Sequence, residues 1–164
     1  MSARRWLRVT VAASGVVGLA TLARADAPSD QYGLFNISDQ VITDRWTTLI
    51  WQRYAPAAPV TFDGAAAYCG GLSLYVYTTG WRVPSYKEML TLVDETPHTE
   101  YENGTLVDKM IDGNAFPQTV INSQYWTSSP YPPHAGWAYD VSFHNGFSAG
   151  DDMLSTHYVR CVHD

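Results

Sequence analysis

The sequence predicts an α+β domain in which two short helices pack on antiparallel sheets connected by long loops. Three observations carry this. Ser85-Tyr86-Lys87-Glu88 is a capping box ahead of an apolar face, the local signature of a helix start. Asn145-Gly146 sits between two β-prone runs, and both residue types tolerate the positive φ that a tight hairpin turn requires. Cys69 and Cys161 are the two cysteines of the chain. One falls in a helix-like alanine-rich stretch and the other in a strand-like run beside the C-terminus.

Val41-Ile42-Thr43 and Thr48-Leu49-Ile50-Trp51 flank a turn at residues 44–47 and read as a hairpin. Thr61 is placed to cap a helix through Ala65-Ala66-Ala67-Tyr68-Cys69 that runs to about Leu72, with Gly70-Gly71 ending it. The second helix follows Ser85, with Met89, Leu90, Leu92 and Val93 at helical spacing. After a loop-rich middle, Tyr125 to Ser128, Trp137 to Phe143, Phe147 to Ala149 and Tyr158 to Val162 read as antiparallel strands. Ala55-Pro56-Ala57-Ala58-Pro59 and Pro130-Tyr131-Pro132-Pro133 are rigid connectors.

Residues 1–25 have the organisation of an export signal. Arg4, Arg5 and Arg8 form a basic start, Val9 to Leu22 an apolar centre, and Ala23-Arg24-Ala25 a small-residue cleavage pattern. Arg4-Arg5-Trp6-Leu7 hints at twin-arginine export, but Arg8 stands where that signal expects an apolar residue, so the Sec route is the better reading. Cleavage leaves residues 26–164 as one domain with no transmembrane segment, bound for the periplasm, the cell surface or the medium. In such a compartment two well-separated cysteines point to a structural disulfide rather than a redox or metal pair.

The charge balance narrows the partners. The signal carries four arginines and no acids, so cleavage takes Lys+Arg from 10 to 6 against 16 Asp+Glu and the formal charge from −6 to −10. A surface this acidic is unsuited to nucleic acid, anionic lipid or sulfated polysaccharide, which need clustered Lys and Arg to displace counterions. Neutral ligands and cations stay open, and so does a homo-oligomer.

Thr48-Leu49-Ile50-Trp51-Gln52, Ala66-Ala67-Tyr68-Cys69, Trp81-Arg82-Val83-Pro84-Ser85 with Glu88 and Leu92, Tyr125-Trp126-Thr127-Ser128-Ser129 and Val159-Arg160-Cys161-Val162 follow one another in a recognisable order. In them the chain resembles the bacterial Lcl C-terminal domain family, also described as Fibrobacter major paralogous domain-like. The resemblance implies a C-type-lectin-like fold, with a hairpin that brings the termini together, two helices, and a loop-rich second sheet carrying a ligand surface. The family's best-known use is as an adhesin head that recognises glycosaminoglycans, which requires basic side chains this chain largely lacks. Fold and general role are therefore carried over, and the ligand is not. The calcium-dependent sugar motifs Glu-Pro-Asn, Gln-Pro-Asp and Trp-Asn-Asp are all absent from the sequence.

Chemistry is sparse. Gly146-Phe147-Ser148-Ala149-Gly150 matches the nucleophile elbow of serine hydrolases, but the elbow needs a strand-to-helix turn with acid and histidine following later, and here a short strand-like tail follows. The tryptophan-arginine-x-proline-serine helix start at Trp81 looks similar to a segment of formylglycine-generating enzymes, whose oxidative chemistry needs a nearby cysteine pair. His98, His134, His144, His157 and His163 lack metal-ligand spacing and read as surface or loop residues. Trp81 and Trp126 read as core. No cofactor is expected; Asp151-Asp152 beside His144-Asn145 is the one place for a Ca²⁺ ion, with a solvated acidic turn the plainer reading.

The expectation is thus a noncatalytic module for an extracellular glycan or protein ligand, the alternative being a structural or assembly subunit of the envelope. Its candidate ligand surface comprises Tyr131, His134, Trp137, His144, Asn145, Asp151 and Asp152, because loops held by a rigid frame favour recognition.

Overall fold

The computed structural model describes residues 28, 30–35, 38–102 and 104–164; residues 1–25, read above as an export signal, lie outside them. Among the described residues, nine strands and two helices follow in the order β1 (Tyr32–Phe35), β2 (Ser38–Asp44), β3 (Ile50–Gln52), α1 (Phe62–Gly70), α2 (Tyr86–Leu90), β4 (His98–Glu102), β5 (Thr105–Lys109), β6 (Gln124–Pro130), β7 (Trp137–Ser142), β8 (Ser148–Asp152) and β9 (Val162–His163). They form three antiparallel sheets, ordered β1-β2-β3-β9, β4-β5 and β6-β7-β8. The first sheet pairs elements from both ends of the chain, because β9 closes on β3 with Trp51 opposite Val162. No helix among the described residues is long and apolar enough to cross a membrane.

Adjacent side chains of a strand point to opposite faces, and here both faces of several strands are covered. Ile42, Trp51, Tyr125 and Val162 enter one apolar cluster with Met89, Phe116 and Phe143. Their sequence neighbours Val41, Ile50, Trp126 and Cys161 enter a second with Ala65, Cys69, Trp81 and Val159. That double burial explains why these strands read as continuous apolar runs rather than alternating ones. Cys69 of α1 and Cys161 are disulfide-bonded with Cα atoms 5.6 Å apart, as the sequence indicated, and Trp81 and Trp126 are core residues.

Both helix starts form as the capping residues dictate. The Thr61 hydroxyl accepts from the Gly64 N–H at 3.2 Å. The Ser85 hydroxyl accepts from the Glu88 N–H at 3.3 Å, and the Glu88 carboxylate accepts from the Ser85 N–H at 2.7 Å. Arg82 donates to both Glu88 oxygens, at 2.9 and 2.8 Å, which holds this carboxyl well below the usual range, at about 2. Because α2 has a single turn and a half, its cap carries much of its stability. Ser85→Ala should cost about 1 kcal/mol in chemical denaturation.

Four expectations are corrected. The second helix ends at Leu90, so Leu92 and Val93 lie beyond it, and Leu90 itself is exposed. The loop-rich middle contains the β4-β5 hairpin. A first strand, β1, precedes and pairs with a longer β2. The last strand is Val162–His163 rather than Tyr158 to Val162. Residues before it bridge singly to different partners, Val60 to His157 and Tyr125 to Tyr158, so no continuous ladder forms. Arg160 in this segment is wholly buried, its guanidinium donating to the Gln52, Arg53 and Thr119 oxygens and lying 4.7 Å from the Phe116 ring centroid; burial draws its pKa down.

Candidate functional site

The β6-β7-β8 sheet carries most of the sequence-derived candidates. Its register sets Trp137 opposite Asp152, Tyr139 opposite Gly150, and Val141 opposite Ser148. Residues 131–136 join β6 to β7 in a loop closed by its own backbone: Tyr131 N–H to Trp137 O at 2.9 Å, His134 N–H to Tyr131 O at 3.1 Å, and Trp137 N–H to His134 O at 3.3 Å. Gly136, at φ 82°, takes the left-handed position of this loop, and its carbonyl accepts from Met153 N–H at 3.0 Å.

The closed loop gathers rings at one end of the sheet. Tyr131 lies nearly parallel to His134 (6.1 Å between centroids, 17°) and to Trp137 (6.3 Å, 27°), while His134 and Trp137 approach to 4.6 Å. Tyr131 meets Tyr139 edge-on at 5.0 Å, and Tyr139 stacks on Tyr86 of α2 at 4.3 Å and 12°. Gly150 makes this seat possible: a Cβ there would fall 2.1 Å from the Tyr131 ring. His134 is exposed, and Tyr131, Trp137 and Tyr139 are half-buried.

The acids divide between the two faces of β8. Asp152, across from Trp137, accepts from the Leu154 N–H at 2.9 Å. Asp151, on the other face, is half-buried: one oxygen accepts from the Asp152 N–H at 2.7 Å and the other pairs with His157 Nε2 at 2.9 Å. His157 is 8% exposed and packs 4.4 Å from the Trp126 ring, which corrects its reading as a surface histidine. Asp140 of β7 is 2% exposed, and its Oδ1 has no hydrogen-bond partner among the described residues. Burial pushes this carboxyl up to about 6; the neighbouring His157 pulls the other way and Asp151 adds to the rise.

Tyr131, His134, Trp137, Asp151 and Asp152 are thus brought to one end of the sheet. His144 and Asn145 are not, since they occupy the β7-β8 turn at the far end of β7, roughly 17 Å away at strand rise. The Ca²⁺ arrangement of Asp151-Asp152 with His144-Asn145 is not assembled. Among the described residues no group of three or more His, Cys, Asp or Glu is placed to hold a metal ion. Tyr139, Tyr86 and Gly150 join the site without having been singled out from sequence, although Tyr139 follows Trp137 at the two-residue strand period.

Ser148 lies on a strand, not on a strand-to-helix elbow, and its hydroxyl hydrogen-bonds Tyr86 Oη at 2.7 Å. The Asp151–His157 pair projects from the opposite face of β8. Ser148→Ala should therefore cost about 1 kcal/mol, the worth of one hydrogen bond. Ser148 should take up no fluorophosphonate probe in an intact-mass assay; stoichiometric labelling would reinstate the hydrolase reading.

The model of the Lcl C-terminal domain family matches residues 40–163. No curated protein matches the sequence.

Proposed function

The chain belongs to the Lcl C-terminal domain family, and from that premise we propose that it is an exported, noncatalytic binding domain for an extracellular glycan or protein ligand. The ligand face is the aromatic end of the β6-β7-β8 sheet. The supporting observation is the self-closed loop of residues 131–136, which holds Tyr131, His134 and Trp137 together at the surface through its own backbone bonds. A preorganised surface loses little entropy on binding. Export agrees with the signal-like residues 1–25 and with a disulfide, which persists in oxidising compartments.

The second reading, an envelope assembly subunit, draws on the β4-β5 hairpin. There Tyr101 and Leu106 are cross-strand partners, 73% and 69% exposed, an apolar pair that a second copy of the chain would cover. Light scattering separates the two: the binding domain is expected to be monomeric at micromolar concentration, and a homo-oligomer dissociated by Tyr101→Ser with Leu106→Ser would favour assembly.

A further inference from the structure

The segment from Gln124 to Asp152, which supplies all three strands of the ligand sheet and both connecting loops, contains no lysine or arginine. Six lysines and arginines remain in residues 26–164, and four of them are buried or paired elsewhere. Lys109 and Arg160 are buried, Arg82 is tied to Glu88 and Asp164, and Arg53 donates to the Ala115 and Asn114 carbonyls. Arg45 lies beyond β2, leaving Lys87 of α2 as the exposed cation of an element packed on this sheet. One lysine cannot replace the counterions of a polyanion.

Resting on the proposed binding role, we infer that the aromatic end of the sheet takes an uncharged, hydroxyl-rich oligosaccharide. The chemistry matches on both sides of such a ligand. The C–H face of a pyranose is apolar and weakly positive, complementary to the negative face of an aromatic ring. Trp137 and His134 offer rings held in place by Tyr131, which Gly150 in turn seats. The edge of the same sugar carries hydroxyl donors, and the Asp152 carboxylate directly across from Trp137 is a charge-assisted acceptor for them. An anionic sugar would meet Asp152 with like charge, and the three strands and two loops of this sheet hold no lysine or arginine to offset it.

The test is a glycan array carrying uncharged, amino-sugar, uronate and sulfated oligosaccharides, probed with residues 26–164 and with His134→Ala and Trp137→Ala, each checked for retained fold by circular dichroism. Uncharged oligosaccharides should bind, each variant should weaken them by roughly tenfold or more, and molar salt should leave affinity nearly unchanged. Binding confined to sulfated or uronate glycans, a steep salt dependence, or unaltered affinity in both folded variants would overturn the inference. An array silent for every glycan also overturns it. The placement of the ligand face falls separately, if a captured protein ligand is indifferent to His134→Ala and Trp137→Ala; a protein ligand lost in both variants with the array silent would overturn the oligosaccharide inference and leave that face standing.

Discussion

Removal of the Cys69–Cys161 bond should lower the unfolding free energy by about 4–5 kcal/mol. The two cysteines are 92 positions apart, so the bond closes a loop spanning most of the domain, and in the chain-entropy account that is what it withdraws from the unfolded ensemble. Against a typical total of about 5–15 kcal/mol the loss is large enough to leave the reduced domain only marginally folded. Both sulfurs sit in the second apolar cluster with no exposure, and the backbone beside them is already fixed, with Gln52 N–H bonded to Cys161 O at 2.9 Å. Urea denaturation of the wild type and of a Cys69→Ala, Cys161→Ala double variant measures the difference. A double variant within about 1 kcal/mol of wild type, or two thiols alkylated in the native protein without reductant, would refute the assignment.

How far the fold could be read from sequence depended on whether the determining interactions were local. The Ser85 and Thr61 caps act within three residues, and both formed. Asn145-Gly146 lies in the expected hairpin with Gly146 at φ 67°, but five residues, 143–147, join the strands and Asn145 keeps a negative φ, so the tight two-residue turn does not form. The same dipeptide at Asn103-Gly104 marks the β4-β5 hairpin, with Gly104 at φ 86°. Its flanks carry no buried face to reinforce that signal, since the cross-strand pair Tyr101 and Leu106 is exposed. The C-terminal segment has the opposite problem. Its apolar run is buried as expected, yet it threads among Val60, Tyr125 and Arg82 one bridge at a time, an arrangement set by tertiary neighbours that no local pattern encodes.

The candidate site divides in the same way. Tyr131, His134 and Trp137 were legible as aromatic residues of one proline-bounded loop. The role of Gly150 was not, because it exists only where the Tyr131 ring crosses β8. Grouping His144-Asn145 with that loop overlooked a constraint available from topology alone. In an antiparallel meander, the turn after β7 lies at the opposite end of the strand from the loop before it.

Replacing Asp140 with asparagine should stabilise the domain by about 1–3 kcal/mol at neutral pH, which is unusual for a buried polar position. The native carboxyl is raised from 3.8 to about 6, chiefly by burial. Below about pH 4 it is protonated in both the folded and unfolded states and contributes nothing. As pH rises from about 4 to 6 the unfolded chain loses this proton first, so the folded state binds more protons and stability falls; above about 6 the full penalty applies. Two units at about 1.4 kcal/mol each bound that penalty at roughly 3 kcal/mol, and an asparagine amide recovers most of it if its N–H₂ finds an acceptor. His157 and Asp151, which face the group, offset each other in the wild type. Glu88 acts with the opposite sign, but only as pH falls from about 4.5 toward about 2, outside this window. Urea midpoints at about pH 5 and 7.5 should therefore fall with pH in the wild type and stay level in Asp140→Asn. Parallel profiles, or a variant less stable at pH 7.5, would show that the carboxyl is satisfied by a partner in solution. The strand period adds a control: Asp140 and Tyr139 project from opposite faces of β7, so the variant should leave any binding at the proposed aromatic face unchanged.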